Sequence, residues 1–186
     1  MVQEDLLIKV IDKINQLRIS YMITGGIASI FYGKPRLTHD FDIVVEIEEK
    51  DIADLVTIFK DEFFVSSEAI QNAIKDRSMF NIIHFDSGIK VDFWLLKDEE
   101  FDRKRFERRQ RHVYSGRDIF LSTPEDIILK KLDWFKQSEI QKHFDDAASV
   151  FEIQEDLDVD YLTVWAEKLS IQALLDDILS IITKEI

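Results

Sequence analysis

The sequence predicts an α/β domain over residues 1–121 with a helical appendage over 122–186. Three observations lead there. Helical apolar spacing alternates with short β-branched runs through the first part. Asp86-Ser87-Gly88, a turn-forming trio, separates two of those runs as in a hairpin. Beyond Thr123 the spacing is helical to the end.

In chain order, Asp5 to Leu17 places Leu6, Val10, Ile14 and Leu17 at helical spacing. Tyr21 to Thr24 is a short apolar strand that stops at Gly25-Gly26, and Ile27 to Tyr32 is a short helix ended near Gly33 and Pro35. Phe41 to Val45 is the next strand, with His39 expected on its inner face beside Phe41. Glu48–Glu62 and Glu68–Lys75 follow as helices, then Met79–Phe85 and Ile89–Leu96 as strands. Arg103 to Arg117 carries seven basic residues and a single acid, and reads as a solvated helix face with a turn. Asp118–Leu121 is extended. Thr123-Pro124-Glu125-Asp126 is a helix entrance: a capping hydroxyl, Pro in the first turn, and acids near the positive dipole end. Helices are predicted at Pro124–Lys136, Ile140–Ile153, Asp158–Leu169 and Ile171–Thr183, and Ile171–Ile182 carries apolar positions for an exposed docking face.

Composition narrows the function classes. With 186 residues and 46% hydrophobic content the chain can bury a real core. The absence of Cys excludes a disulfide framework and a thiolate metal site, and four scattered His give no zinc spacing. No run approaches a membrane span, and the amino-terminal residues lack a signal peptide's positive end, so a soluble, cytoplasmic protein is expected. A net charge of −13 works against nucleic-acid binding over most of the surface. Arg103–Arg117 is the place to look for a phosphate-rich partner, and it tilts the reading toward an RNA acceptor.

The chemistry concentrates between Tyr21 and Val45. A strand that turns at Gly25-Gly26 directly into a helix is either a plain turn or a phosphate cradle, since it aims backbone N–H groups and a helix dipole at one point. Asp40 and Asp42, two apart on a strand, project to one face with Thr38, as a solvated outer face or as a cation site. Two such carboxylates repel unless a cation lies between them, and Mg²⁺ suits oxygen ligands shared with phosphates. Asp92 interrupts the apolar strand Ile89–Leu96, on the face of Lys90 and Trp94. If that strand pairs beside the Phe41 strand, the three carboxylates form a cluster able to hold two Mg²⁺ ions. One ion activates an acceptor hydroxyl and the other stabilises leaving pyrophosphate. Asp92 then serves as general base or as the ligand orienting the nucleophile. Trp94 is the aromatic kept as a nucleobase contact.

Gly-Gly, a helix, Asp-x-Asp on a strand and a later strand Asp resemble the minimal nucleotidyltransferases of the DNA polymerase β superfamily, within it most of all the AbiEii-type toxin-like enzymes and their bacterial relatives. The resemblance extends from Ser20 to Leu179 and includes Ser122–Phe135, whose Lys131 matches a lysine expected near nucleotide phosphates. Asp145-Asp146 stands where those relatives carry a basic–Asp pair, so Asp146 matches and the expected Arg is absent. The resemblance implies a nucleotidyltransferase fold, a mixed β-sheet flanked by helices. It implies transfer of a nucleoside monophosphate from an NTP such as ATP to a hydroxyl on RNA, protein or a small molecule. Gly25, Gly26 and Ser29 would cradle phosphates, Arg36, Thr38 and Lys131 would help bind the nucleotide, and Asp40, Asp42 and Asp92 would hold Mg²⁺. An antitoxin partner is a further implication. The alternative is a non-catalytic nucleotide-binding or protein-interaction module on the same fold, which has no need of three mutually repelling carboxylates. An antibiotic-modifying enzyme ranks behind the toxin-like group, which the helical appendage resembles.

Overall fold

The computed structural model describes residues 2–183. Its fold is a mixed α/β arrangement, and the chain divides into two units, residues 1–24 with 38–121, and residues 25–37 with 122–186.

The first unit is a seven-stranded sheet. Its strands are β1 (Ser20–Thr24), β2 (Asp40–Glu46), β3 (Phe63–Phe64), β4 (Met79–His84), β5 (Lys90–Leu95), β6 (Gln110–Tyr114) and β7 (Arg117–Leu121). They lie side by side in the order β3-β4-β5-β2-β1-β7-β6. β2 pairs antiparallel with β1 and parallel with β5, and β4 pairs antiparallel with β5. Helices α1 (Val2–Gln16), α3 (Ile52–Phe59), α4 (Ser67–Asp76) and α5 (Glu100–Glu107) complete the unit.

The period of two along the strands explains the core. Phe41, Ile43 and Val45 of β2, with Val91, Phe93 and Leu95 of β5, are all buried. Phe59 meets Phe63 edge-on at 5.4 Å, and Phe80 stacks on Phe93 at 5.1 Å. On the opposite face Met22, Val44, Leu96 and Phe106 form a smaller buried cluster, with Trp94 packed against it. The site described below lies on that second face.

The second unit is helical: α2 (Gly25–Tyr32), α6 (Pro124–Ser138), α7 (Gln141–Ile153), α8 (Val159–Lys168) and α9 (Gln172–Thr183). The entrance of α6 forms as expected. Thr123 caps it by accepting from the Asp126 amide, and Asp126 in turn accepts from the Thr123 hydroxyl and, at 2.7 Å, from the Tyr161 hydroxyl. This satisfies a carboxylate with no exposed surface.

Several expectations need correction. Glu48–Glu62 is a 3₁₀ turn at Glu49–Asp51 followed by α3, and the chain then enters strand β3, too short for its alternation to register in the sequence. Arg103–Arg117 is the end of α5 followed by the hairpin β6–β7. β6 is an edge strand exposed along most of its length, so it lacks the apolar alternation that identifies a strand. His39 is exposed just before β2, because the chain becomes extended sheet only at Asp40. The docking face expected along Ile171–Ile182 is used internally: Ile171, Leu175 and Ile178 are buried, and α9 packs on α7 and α8. The side chains of Ile181 and Ile182 lie outside the described residues.

Gly33 shows how tightly α2 and α7 are apposed. A Cβ there would lie 2.7 Å from the Ser149 hydroxyl, 2.9 Å from the Ser29 carbonyl oxygen and 3.1 Å from the Val150 nitrogen. Two of those three atoms are backbone and cannot rotate away. Gly33→Ala is expected to cost about 1–3 kcal/mol in urea unfolding, the range for overpacking a close contact; an unchanged midpoint would show that the two helices separate freely.

Candidate active site

On the second face of the sheet, one row of residues crosses four adjacent strands. Thr24 of β1 is the register partner of Asp42 of β2, Asp42 of Asp92 of β5, and Asp92 of Asn81 of β4. Neighbouring strands lie about 5 Å apart, so the Asp42 and Asp92 carboxylates start from adjacent points on the same side. Asp40 stands two residues before Asp42 on that face, opposite Lys90. The three aspartates therefore gather within the first unit, whereas Thr24 and Asn81 are members of the row that pattern reading missed. Neither residue type signals a site by itself, and only the register reveals them.

Each carboxylate is held by a named donor. The Thr38 hydroxyl donates to Asp40 Oδ1 at 3.0 Å, and Thr38 is fixed by Gln3, whose side-chain amide donates to its carbonyl oxygen at 2.9 Å. The Trp94 indole N–H donates to Asp42 Oδ1 at 3.1 Å. Trp94 thus anchors a carboxylate from the small apolar cluster. The Lys90 ammonium lies 2.9 Å from Asp92 Oδ2. Asp92 Oδ1 is buried and has no hydrogen-bond donor.

Electrostatics follow from this crowding. Burial is the main cause that raises the Asp92 pKa above the ordinary aspartate value; Lys90 opposes it, and the Asp42 and Asp40 charges reinforce it. The Lys90 pKa is raised chiefly by its hydrogen bond to Asp92, with further support from the Asp40 and Asp42 charges. Among the described residues, no three His, Asp or Glu side chains converge closely enough to hold a metal ion as they stand. The donor chemistry nevertheless fits a hard divalent cation: all ligands are oxygens, and Asp92 keeps a buried oxygen unsatisfied.

The other predicted residues belong to the second unit. Gly25 opens α2 directly after Thr24 with φ of 60°, a left-handed conformation that a side chain would strain and that turns strand into helix without a loop. Gly26 follows it, buried, in the first turn of α2. Ser29, expected to face phosphate, is buried and donates its hydroxyl to the Gly25 carbonyl oxygen at 2.8 Å, tying the first turn together.

Arg36 and Lys131 converge on Asp146. Arg36 grips that carboxylate with two donors, Nε at 2.6 Å from Oδ1 and Nη2 at 2.7 Å from Oδ2. Lys131 Nζ lies 2.7 Å from Oδ2, and both Lys131 and Asp146 are buried. Asp146 is therefore the organising anion of the second unit. Arg36 reaches it from 110 residues earlier in the chain. Its neighbour Asp145 is exposed and bonded to Gln141.

The basic segment does not present a continuous cationic surface. Arg103 pairs with Glu46 and Asp98, Arg105 with Asp102, Arg111 with Asp118 and Arg117 with Asp12. Arg109 lies over the rings of Phe106 and Phe120. A phosphate partner there would compete with these pairs for the guanidinium groups.

Comparison with known proteins adds the fold. The chain matches no protein-family model and no curated protein. It is similar in structure to an antigenic nucleotidyltransferase-like protein from Paracoccidioides brasiliensis (17% identity, TM-score 0.58, covering 94% of this chain and 91% of that one). It is also similar to ANT(2″)-Ia bound to adenylyl-2″-tobramycin (14% identity, TM-score 0.63, covering 91% and 98%). A third match is the lincosamide antibiotic adenylyltransferase LnuA with lincomycin (14% identity, TM-score 0.55, covering 81% and 98%). No helix among the described residues is long and apolar enough to cross a membrane.

The Asp146 cluster has a definite acid response. Burial by itself would raise the Asp146 pKa, but Arg36 and Lys131 outweigh it and hold the carboxyl below the ordinary aspartate value. A depressed folded-state pKa contributes stability above the unfolded value and loses it as pH falls through the folded value. Asp146→Asn should therefore cost about 3–5 kcal/mol at pH 7, because it leaves two cations without their anion. The gap from wild type should narrow as pH drops below the ordinary aspartate range. Urea unfolding across that range checks both; a gap that stays constant with pH would refute the ionic role.

Proposed function

We propose that the protein is a nucleotidyltransferase that moves a nucleoside monophosphate from an NTP to an acceptor hydroxyl and releases pyrophosphate. The single observation carrying this reading is the in-register pairing of Asp42 with Asp92, with Asp40 on the same face. A protein that only folds gains nothing from setting two carboxylates opposite one another and burying an oxygen of one without a donor. A divalent cation removes both penalties. The fold shared with nucleotidyltransferases and adenylyltransferases agrees with the reading.

Asp40, Asp42 and Asp92 are assigned as the residues that would hold Mg²⁺, which supplies Lewis-acid activation of the attacking hydroxyl and neutralisation of phosphate charge. Thr38 and Trp94 orient two of the three carboxylates. Asp92 is assigned either to accept the acceptor hydroxyl's proton as the new phosphoester bond forms or to orient that hydroxyl as a metal ligand. In the second unit, Gly25 and Gly26 offer backbone amides at a helix start, and Arg36 and Lys131 are the cations assigned to nucleotide phosphates. Ser29 acts through the Gly25 turn that it braces. The toxin-like assignment, and with it an antitoxin partner, rests on the resemblance of Ser122–Phe135 and on Asp146.

Incubation with Mg²⁺ and α-labelled NTPs, with cellular RNA, protein and small hydroxyl compounds as acceptors, should transfer label. Asp42→Asn and Asp92→Asn should each lower transfer by at least about a hundredfold, the scale for removing a group that stabilises the transition state. Trp94→Phe, which keeps the packing and removes the N–H to Asp42, should lower it by a smaller factor. Undiminished transfer by Asp42→Asn would refute the assignment.

A further inference from the structure

Lys90 is a residue that the proposed reaction does not use, yet it is ion-paired to one of the three aspartates. Its ammonium is the hydrogen-bonding partner of Asp92, and it faces Asp40 across the β2–β5 ladder. The two partners differ in freedom. The Asp92 side chain is 7% exposed and fixed in a central strand, whereas the Lys90 side chain is 43% exposed on a flexible four-carbon stem. Lys90 can therefore leave for solvent while Asp92 stays. Lys90 holds Oδ2 while Oδ1 is the unsatisfied oxygen, so a divalent ion on Oδ1 would share one carboxylate with the ammonium and be repelled by it at close range.

Resting on the nucleotidyltransferase reading above, we propose that Lys90 is a tethered stand-in cation. It neutralises the aspartate cluster when no metal is bound, opposes a divalent ion's entry at Asp92 by charge repulsion, and so sets the metal concentration at which the site fills. The free protein is thereby spared the repulsion of three adjacent carboxylates, and it retains a site that takes up metal only against competition. Lys90 is a positioning residue in this scheme: it acts on Asp92 and makes no contact with the reacting atoms.

Metal binding without nucleotide tests this directly. Mn²⁺ affinity, followed by loss of the free-ion electron paramagnetic resonance signal at low salt, should be about two- to fivefold tighter in Lys90→Met and Lys90→Gln than in wild type, the worth of one partly exposed ion pair. Lys90→Arg should bind as wild type does, and Lys97→Met, which removes a lysine paired with Glu99 beyond the end of β5, should change nothing. In the absence of metal, Lys90→Met should melt at a lower temperature than wild type, and saturating Mn²⁺ should abolish the difference. Purely structural damage would lower the melting temperature without tightening metal binding. If Lys90→Met and Lys90→Gln bind Mn²⁺ no more tightly than wild type while Asp92→Asn loses binding, the stand-in role is wrong and the metal site survives. If Asp42→Asn and Asp92→Asn bind Mn²⁺ as wild type does, the nucleotidyltransferase reading falls, and the role of Lys90 with it.

Discussion

Like-charge crowding between β2 and β5 is the constraint around which the first unit is arranged. Parallel pairing in the register Asp42↔Asp92 sets two carboxylates on neighbouring strands with a third close by. Cross-strand like charges destabilise a sheet. The surrounding residues offset that cost one oxygen at a time: Thr38 on Asp40, Trp94 on Asp42, Lys90 on Asp92. The inner face of the same strands is wholly apolar, with Phe41, Ile43, Val91 and Phe93 buried. A single-residue slip in register would turn the aspartates into that core, so hydrophobic burial fixes the position of the charges.

The second unit solves the reverse problem. Two cations, Arg36 and Lys131, come from different elements and are held by one buried anion, Asp146. Arg36 contributes a bidentate fork, which orients as well as neutralises. The cluster also supplies the basic partner that the local sequence around Asp146 lacks. The two units thus use ionisable groups in opposite senses, anions offset by one flexible lysine in one and cations gathered on a rigid carboxylate in the other.

Arg103–Arg117 shows the limit of charge counting. Seven basic residues against one acid suggest a cationic patch when read along the chain. Four of them, Arg103, Arg105, Arg111 and Arg117, take acidic partners from outside the segment: Asp12 from α1, Glu46 from the end of β2, Asp98 and Asp102 from the approach to and start of α5, and Asp118 from β7. A local excess of one sign is informative only when the opposite sign is absent in three dimensions, and with a net charge of −13 acids are rarely far away.

The sequence by itself determined which residues form strands and helices wherever a repeating apolar pattern ran for a full element. That covers α1, β1, β2, α4, the β4–β5 hairpin and the four helices after Thr123. It also determined that Asp40, Asp42 and Asp92 project to the polar face of their strands, because side-chain alternation is a property of the strand alone. Tertiary structure decided which strands became neighbours, and hence that Asp92 meets Asp42, that Thr24 and Asn81 join their row, and that Lys90 and Trp94 hold the carboxylates. It likewise decided that α2 packs with the C-terminal helices and that Arg36 meets Asp146. Most of these pairings join residues on different elements, from about ten to more than a hundred positions apart, which local periodicity cannot encode. The same reason hid β3 and β6: one is too short and the other too exposed to carry a pattern, and each exists because a neighbouring strand offers it hydrogen bonds.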